Sequence, residues 1–259
     1  MNGTRMAWST AARLESVALL GAPGGMVVAP TKVGYIVMAT DRAGLERKFD
    51  AKQRSRTKPG VVLVSSLDML RRLAHLTPEI EALYERCWRE DLLLGCILPW
   101  RESALALIPA DGSGDLVMDA RWTSCFVIRF GAPSEAIAAD LWENHGLLTF
   151  ASSANPSGQG NRGLISGIGE RIERSADLLI EADDYVASNQ PGVGADERFE
   201  QGVMVSMVDR AGTLVPEQHG QRSVTPAPTL IRRGLALERI MSLLAQQFPS
   251  WDYRHGEYY

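Results

Sequence analysis

The sequence predicts an α/β fold, on three observations. Short apolar runs alternate with segments of helical spacing, glycine, proline and hydroxyl residues bound those runs, and no internal repeat breaks the order. The 259 residues are 45% hydrophobic and 22% charged, enough apolar surface for one substantial core. The net charge of −4 argues against attraction of the whole molecule to nucleic acid and leaves room for a local basic groove.

Leu14, Val17, Ala18 and Leu20 keep near-helical spacing before the stop signals Gly21 and Gly24-Gly25, so an opening helix is expected. Strands at 26–29 and 35–39 follow, joined by the polar connection Pro30-Thr31-Lys32-Val33-Gly34. A helix over 42–52 then runs into a basic segment, and 61–64 reads as a buried strand. Helices are predicted at 66–74 and 78–88, capped by Ser65 or Ser66 and by Thr77. The runs 92–98, 104–108 and 125–130 read as extended, 134–144 as a helix closed by Gly146, and 147–151 as a strand. A polar loop at 152–163, a helix to about Arg174, strands at 178–180, 203–208 and 229–231 and a helix from Leu235 complete the body. The Gly- and Asn-rich stretch 187–201 is predicted as a surface loop. One domain is expected over 1–245, with a partly ordered, aromatic-rich tail at 246–259.

Three cysteines with no CxxC pair indicate neither a zinc site nor a disulfide framework, and fit buried thiols in a reducing compartment. The N-terminal stretch suits an amphipathic helix better than a signal peptide, and no run is long enough to span a bilayer. A soluble cytoplasmic protein without membrane partners is the expectation.

Two segments carry the candidate chemistry. Lys52-Gln53-Arg54-Ser55-Arg56-Thr57-Lys58-Pro59 sets four cations within seven residues, between a helix and a buried strand. Arginine forks and lysine point charges together suit a polyphosphate better than one carboxylate, although a solvated basic turn has the same composition. Ser152-Ser153-Ala154-Asn155-Pro156-Ser157-Gly158 comes directly after an apolar strand, at the end where open α/β sheets bind ligands. Its hydroxyls and carboxamide can meet phosphate oxygens or a base, yet such loops are more often plain turns.

Gly158-Gln159-Gly160-Asn161-Arg162-Gly163 matches GxGxxG, but a polar stretch containing Pro156 separates it from the strand, which argues against a dinucleotide fingerprint. GxxxxGK[ST], GxSxG and HExxH are absent, and the four histidines are scattered, so P-loop, serine-hydrolase and zinc-protease chemistry has no support and no metal site is predicted.

Taken in order, Pro30-Thr31 at a strand end, Lys52-x-Arg54, Pro59 before a buried strand, Arg129 in Val127-Ile128-Arg129, and Ser153-Ala154-Asn155-Pro156-Ser157-Gly158 resemble the YrdC-type threonylcarbamoyl-adenylate synthase family. Ser206-Met207-Val208-Asp209 and Ile231-Arg232-Arg233-Gly234 extend the likeness, which runs from about 24 to about 240. The resemblance implies a twisted, open, mixed sheet with flanking helices and a basic concave cavity. It implies a nucleotidyltransferase that joins L-threonine, bicarbonate and ATP, with Mg2+ carried by the nucleotide. Threonine carbamate attacks the α-phosphate, pyrophosphate leaves, and a separate transferase uses the adenylate in tRNA modification. Lys52 and Arg54 would be the catalytic phosphate ligands, joined at the nucleotide by Lys58, Ser153, Asn155 and Arg232. Thr31, Tyr35, Arg129 and Ser206 would line the second-substrate site, with Arg129 pairing with the threonine carboxylate or carbamate.

Two stretches depart from the family pattern. Pro-Thr-Asp-Thr-Val-Tyr-Gly-Leu is here Pro30-Thr31-Lys32-Val33-Gly34-Tyr35-Ile36-Val37, which reverses a charge at Lys32 and replaces a hydroxyl by Val33. Trp-Pro-Gly-Pro-Leu-Thr is here Trp88-Arg89-Glu90-Asp91-Leu92-Leu93, which replaces a shaped loop by charges. The phosphate side is thus better kept than the amino-acid side. The second reading is a divergent paralogue that binds double-stranded RNA or a nucleotide without threonine-dependent synthesis.

Overall fold

Side-chain caps fix where the first four helices start. Ser9 accepts from Ala12 N–H at the head of α1 (Thr10–Gly21), Asp41 from Gly44 N–H at α2 (Arg42–Lys52), Ser66 from Met69 N–H at α3 (Leu67–Leu73), and Thr77 from Ile80 N–H at α4 (Pro78–Arg89). The end of α2 sets the geometry of the basic turn. Gln53 turns left-handed at φ 50° and returns its N–H to the carbonyls of Phe49 and Asp50, so Lys52 occupies the last helical position and Arg54 lies just past the turn.

The computed structural model describes residues 3–57, 59–156 and 159–254. Its strands are β1 (Thr4–Ala7), β2 (Val27–Thr31), β3 (Gly34–Ala39), β4 (Val61–Leu63), β5 (Leu94–Pro99), β6 (Thr123–Ile128), β7 (Phe150–Ser153), β8 (Leu178–Glu181), β9 (Val203–Ser206), β10 (Thr229–Arg232) and β11 (Asp252–Tyr253). They form one open sheet in the order β1-β8-β2-β3-β7-β4-β6-β5-β9-β10-β11, with parallel and antiparallel ladders mixed. The remaining helices are α5 (Gly114–Val117), α6 (Ala132–His145), α7 (Glu170–Ser175), α8 (Asp183–Ser188) and α9 (Leu237–Gln247).

The two faces of this sheet bury different cores. Phe150, Val62, Phe126, Cys96, Val205 and Leu230 succeed one another across the ladders on one face and pack with residues of α3, α4 and α9. Ala151, Leu63, Val127, Cys125, Ile97 and Met204 share the other face with residues of α1 and α6. Each fully buried Phe or Leu contributes on the order of 1.5–3 kcal/mol, so the many such residues of the two layers hold the strands in this register.

Most predicted elements are present, and the differences have local causes. The run 104–108 is not extended: Glu102–Leu107 forms a 3-10 turn that buries Ala104. The strand expected from 147 starts at Phe150, because Leu147 N–H still closes α6 on Leu141 O behind the left-handed Gly146. The strand β1 and the short helices α5 and α8 were not legible as apolar runs. The boundary at 246 is not a break in packing: α9 runs to Gln247, Phe248 is wholly buried, and Asp252–Tyr253 adds a strand beside β10. Residues 255–259 of the expected tail, and Lys58, Ser157 and Gly158, lie outside the described residues. Among the described residues, no helix is long and apolar enough to cross a membrane.

Candidate functional site

Lys52 joins the two candidate segments. At the C-terminus of α2 its ammonium nitrogen donates to the carbonyl oxygen of Ser153 and lies 3.3 Å from the Ser153 hydroxyl. The Lys-x-Arg turn and the Ser-x-Asn loop, far apart in sequence, are therefore one site. Burial, and after it the nearby Arg54 charge, push the Lys52 ammonium down to about 7. Lys48, one turn earlier, is wholly buried, lies 4.8 Å from the centre of the Phe49 ring, and its nitrogen has no hydrogen-bond partner among the described residues. Burial first, then Arg54 and Lys52, push it likewise to about 7. Three cationic groups thus gather where local solvation is poor, a setting that a bound polyanion relieves.

Strand register decides which other side chains share the site's face. Ser153 pairs with Ile36, Ala151 with Val61, Leu63 with Val127, Gly95 with Val127 and Met204, Ile97 with Cys125 and Ser206, and Met204 with Arg232. Directly paired residues project to the same side, so Ser153, Ser206 and Arg232 belong to one face. Thr31 joins them by alternation from Ala29, the partner of Ile36. Tyr35 does not. It pairs with Pro30 on the opposite side, where its hydroxyl donates to Asp183 Oδ1 at 2.5 Å and accepts from Ala182 N–H at 2.9 Å. Tyr35 thus lies apart from the face that carries the other expected residues Thr31, Ser153, Ser206 and Arg232: a strand covered on both faces gives no hydrophobic signal of which way a residue points.

Several predicted residues are already engaged. Thr31 Oγ1 donates to Gly34 O at 2.8 Å and shapes the β2–β3 hairpin, and Ser206 Oγ donates to Val208 O at 2.8 Å. Arg232 Nε donates to Gly202 O at 3.0 Å. The Asn155 amide donates to Pro156 O at 3.0 Å and to Gln159 O, holding the loop after β7 in shape. Asn161, which sequence reasoning passed over, ties that loop down: its amide donates to Tyr35 O at 3.1 Å and Ala154 O at 3.2 Å, and its oxygen accepts from Gly163 N–H at 3.1 Å. The described part of the GxGxxG match, residues 159–163, is thus a pinned loop leading to a 3-10 turn at Ile165–Ile168. A cavity of about 140 Å³ opens beside Lys52, between Gln53, Pro156, Gly169 and Arg171. It is smaller than the ~300–1,000 Å³ of drug-sized ligand pockets and can serve only as an annex to an open site.

At the hairpin tip the two departures from the family pattern meet. Lys32 Nζ lies 2.7 Å from Asp91 Oδ1 and donates to the Asp91 carbonyl at 2.6 Å, while Arg129 Nη2 lies 2.7 Å from the same Oδ1. Glu135 stands 3.5 Å from the other side of Arg129, and the guanidinium stacks 5.0 Å from the centre of the Trp88 ring. Lys32 N–H on Phe130 O at 2.9 Å brings the tip onto the end of β6. Val33 is buried there among Leu63, Leu93 and Val127, as a packing residue.

No thiol chemistry suits this site. Cys87, Cys96 and Cys125 are buried, and burial pushes Cys87 and Cys125 to about 12. Elsewhere Glu79, Glu217 and His219 gather, but Glu79 accepts the Gln218 and His219 N–H groups at 2.7 and 2.8 Å, which accounts for their meeting as a loop anchor.

Residues 21–193 match the family model Sua5_yciO_yrdC, described as telomere recombination. A solved structure of the hypothetical protein smu.1377c from Streptococcus mutans is 53% identical over 100% of both chains, with a TM-score of 0.94. Sua5 of P. abyssi, solved with L-threonine, is 22% identical with a TM-score of 0.61; the match covers 94% of this chain and 60% of that one. E. coli YciO is 16% identical with a TM-score of 0.59, over 90% of this chain and 95% of the other. At those identities the likeness to Sua5 and YciO is one of fold. No curated protein matches the sequence. With two thirds of its length under the family model and its Lys-x-Arg and Ser-x-Asn segments joined in space, the chain belongs to the Sua5/YciO/YrdC family.

Proposed function

We propose that the chain binds magnesium–ATP across Lys52, Arg54, Ser153 and Asn155 and forms an adenylate of the threonylcarbamoyl kind. The observation that carries this reading is the junction of Lys52 with Ser153. Adenylyl transfer needs alignment and cationic stabilisation of charge growing on the phosphates, and no His or Cys nucleophile. Lys52 and Arg54 supply the charge, Ser153 a hydroxyl, and Asn155 the shape of the loop; Lys58 and Arg232 are proposed as further phosphate ligands. The carbamate oxygen of the co-substrate attacks the α-phosphorus, the bond to the bridging oxygen breaks, and pyrophosphate leaves with that electron pair. Thr31, Arg129 and Ser206 border the co-substrate in this reading. L-threonine with bicarbonate is the pair the resemblance implies, and the Sua5 neighbour was solved with L-threonine.

A nucleotide is favoured over double-stranded RNA by how the basic segment is arranged. Arg56, an exposed cation of that run, is held by Glu46 and Asp50, so its charge is already met before a long phosphate backbone could take it. The test is pyrophosphate release from magnesium–ATP with bicarbonate and L-threonine, with mass spectrometry of the adenylate. Threonine-dependent product is the expected result; ATP binding without any product under these conditions would refute the synthase reading.

A further inference from the structure

We propose that Asp91 is a specificity-determining residue: it seats its own carboxylate on Lys32 and Arg129 and so discriminates against co-substrates that present a free carboxylate there. The proposal rests on the adenylate-forming reading in one respect, that the space beside Arg129 belongs to the co-substrate.

Both cations turn inward, while the anion that satisfies them comes from the surface. The Lys32 side chain is 7% exposed and Arg129 26%, against 56% for Asp91. One oxygen, Oδ1, meets both cations, and the Asp91 carbonyl takes a further bond from Lys32. A buried ammonium without a counter-ion is costly, so the reversed charge at Lys32 is tolerated because Asp91 reaches it. Lys32 and Asp91, both departures from the family pattern, therefore satisfy each other in this structure.

Charge decides what else can enter. Lys32 and Arg129 carry two positive charges, and Asp91 and Glu135 two negative ones, so the cluster is neutral as it stands. Tyr185, a further titratable side chain near Glu135 and Asp91, has its hydroxyl on Ala132 N–H, and burial raises it further out of the physiological range. An incoming carboxylate would add an uncompensated negative charge unless Asp91 left. The site is nonetheless built for an anion. Arg129 Nε is buried with no hydrogen-bond partner among the described residues, and Arg129 and Asp91 both hold left-handed backbone, at φ 52° and 54°. With Asp91 in place, a co-substrate carboxylate such as that of L-threonine reaches Arg129 only by displacing Asp91 and so binds more weakly than it would without that competitor.

Asp91→Asn keeps the shape and removes the charge. Calorimetric titration with L-threonine, and separately with acetate, would compare wild type, Asp91→Asn and Asp91→Asn/Arg129→Gln, with magnesium–ATP titrated into each. The expected result is L-threonine bound at least about tenfold more tightly by Asp91→Asn than by wild type, with the gain lost in the double variant. Asp91→Ser gives the same reading should the asparagine variant fold poorly. Equal binding by wild type and Asp91→Asn, no binding by either, or a gain that survives Arg129→Gln would overturn the proposal. Loss of ATP binding in every form, wild type included, would instead strike the nucleotide reading, and the threonine comparison would still decide the role of Asp91.

Discussion

The two ends of the site meet the problem of buried charge in opposite ways. Around Lys52 two lysines are buried with little compensation: Lys48 and Lys52 are both depressed to about 7, and the acceptor on Lys52 is an uncharged carbonyl. Around Arg129 every charge has an opposite within the protein, Asp91 and Glu135 for Arg129 and Asp91 for Lys32. Buried lysines with no carboxylate partner among the described residues favour an anionic ligand, whereas a region that neutralises itself takes one less readily. In the proposed reading the Lys52 end takes the phosphates, and the Arg129 end carries the departures from the family pattern.

Breaking the phosphate end has the largest expected effect. Lys52→Met with Arg54→Met removes two charge-assisted contacts, each worth ~1.5–3 kcal/mol, so ATP affinity should fall by roughly a hundredfold or more in a calorimetric titration. An affinity within about threefold of wild type would mean that the nucleotide does not lie on this turn. The change at Asp91 comes next in size and acts on the opposite end alone. Smallest is Tyr35→Phe, which removes a hydroxyl that bridges Asp183 and Ala182 on the far face. It should cost about 1 kcal/mol of stability in denaturant unfolding and leave ATP affinity unchanged. A loss of ATP affinity would show that the two faces are coupled.

Much of this was legible in the sequence. The caps expected at Ser66 and Thr77 start α3 and α4, and the short motifs that hold Lys52 and Ser153 are brought together in space. Which way Tyr35 points was hidden, since β2 and β3 are covered on both faces and alternation carries no signal there. The pairing of Lys32 with Asp91 was hidden by separation along the chain: each reads alone as a stray charge, and only the closure of the hairpin tip onto β6 brings them together. The strand β1 is short and largely exposed, so no apolar run marked it. The 3-10 turn at Glu102–Leu107 carries the same alternation of small and large apolar residues as a strand.

The pH dependence of nucleotide binding tests the central claim most directly. With its pKa depressed to about 7, Lys52 is half protonated at neutral pH and loses its charge as pH rises. A polyphosphate binds the charged form and draws a proton onto the protein, so affinity must fall above pH 7, by at most about tenfold per pH unit per lysine. Magnesium–ATP titrated into the wild-type protein at about pH 7 and about pH 8.5 should bind on the order of tenfold more weakly at the higher pH, with proton uptake that Lys52→Arg reduces, Lys48 supplying what remains. Binding that is equal at both values, with no proton uptake, would contradict the account.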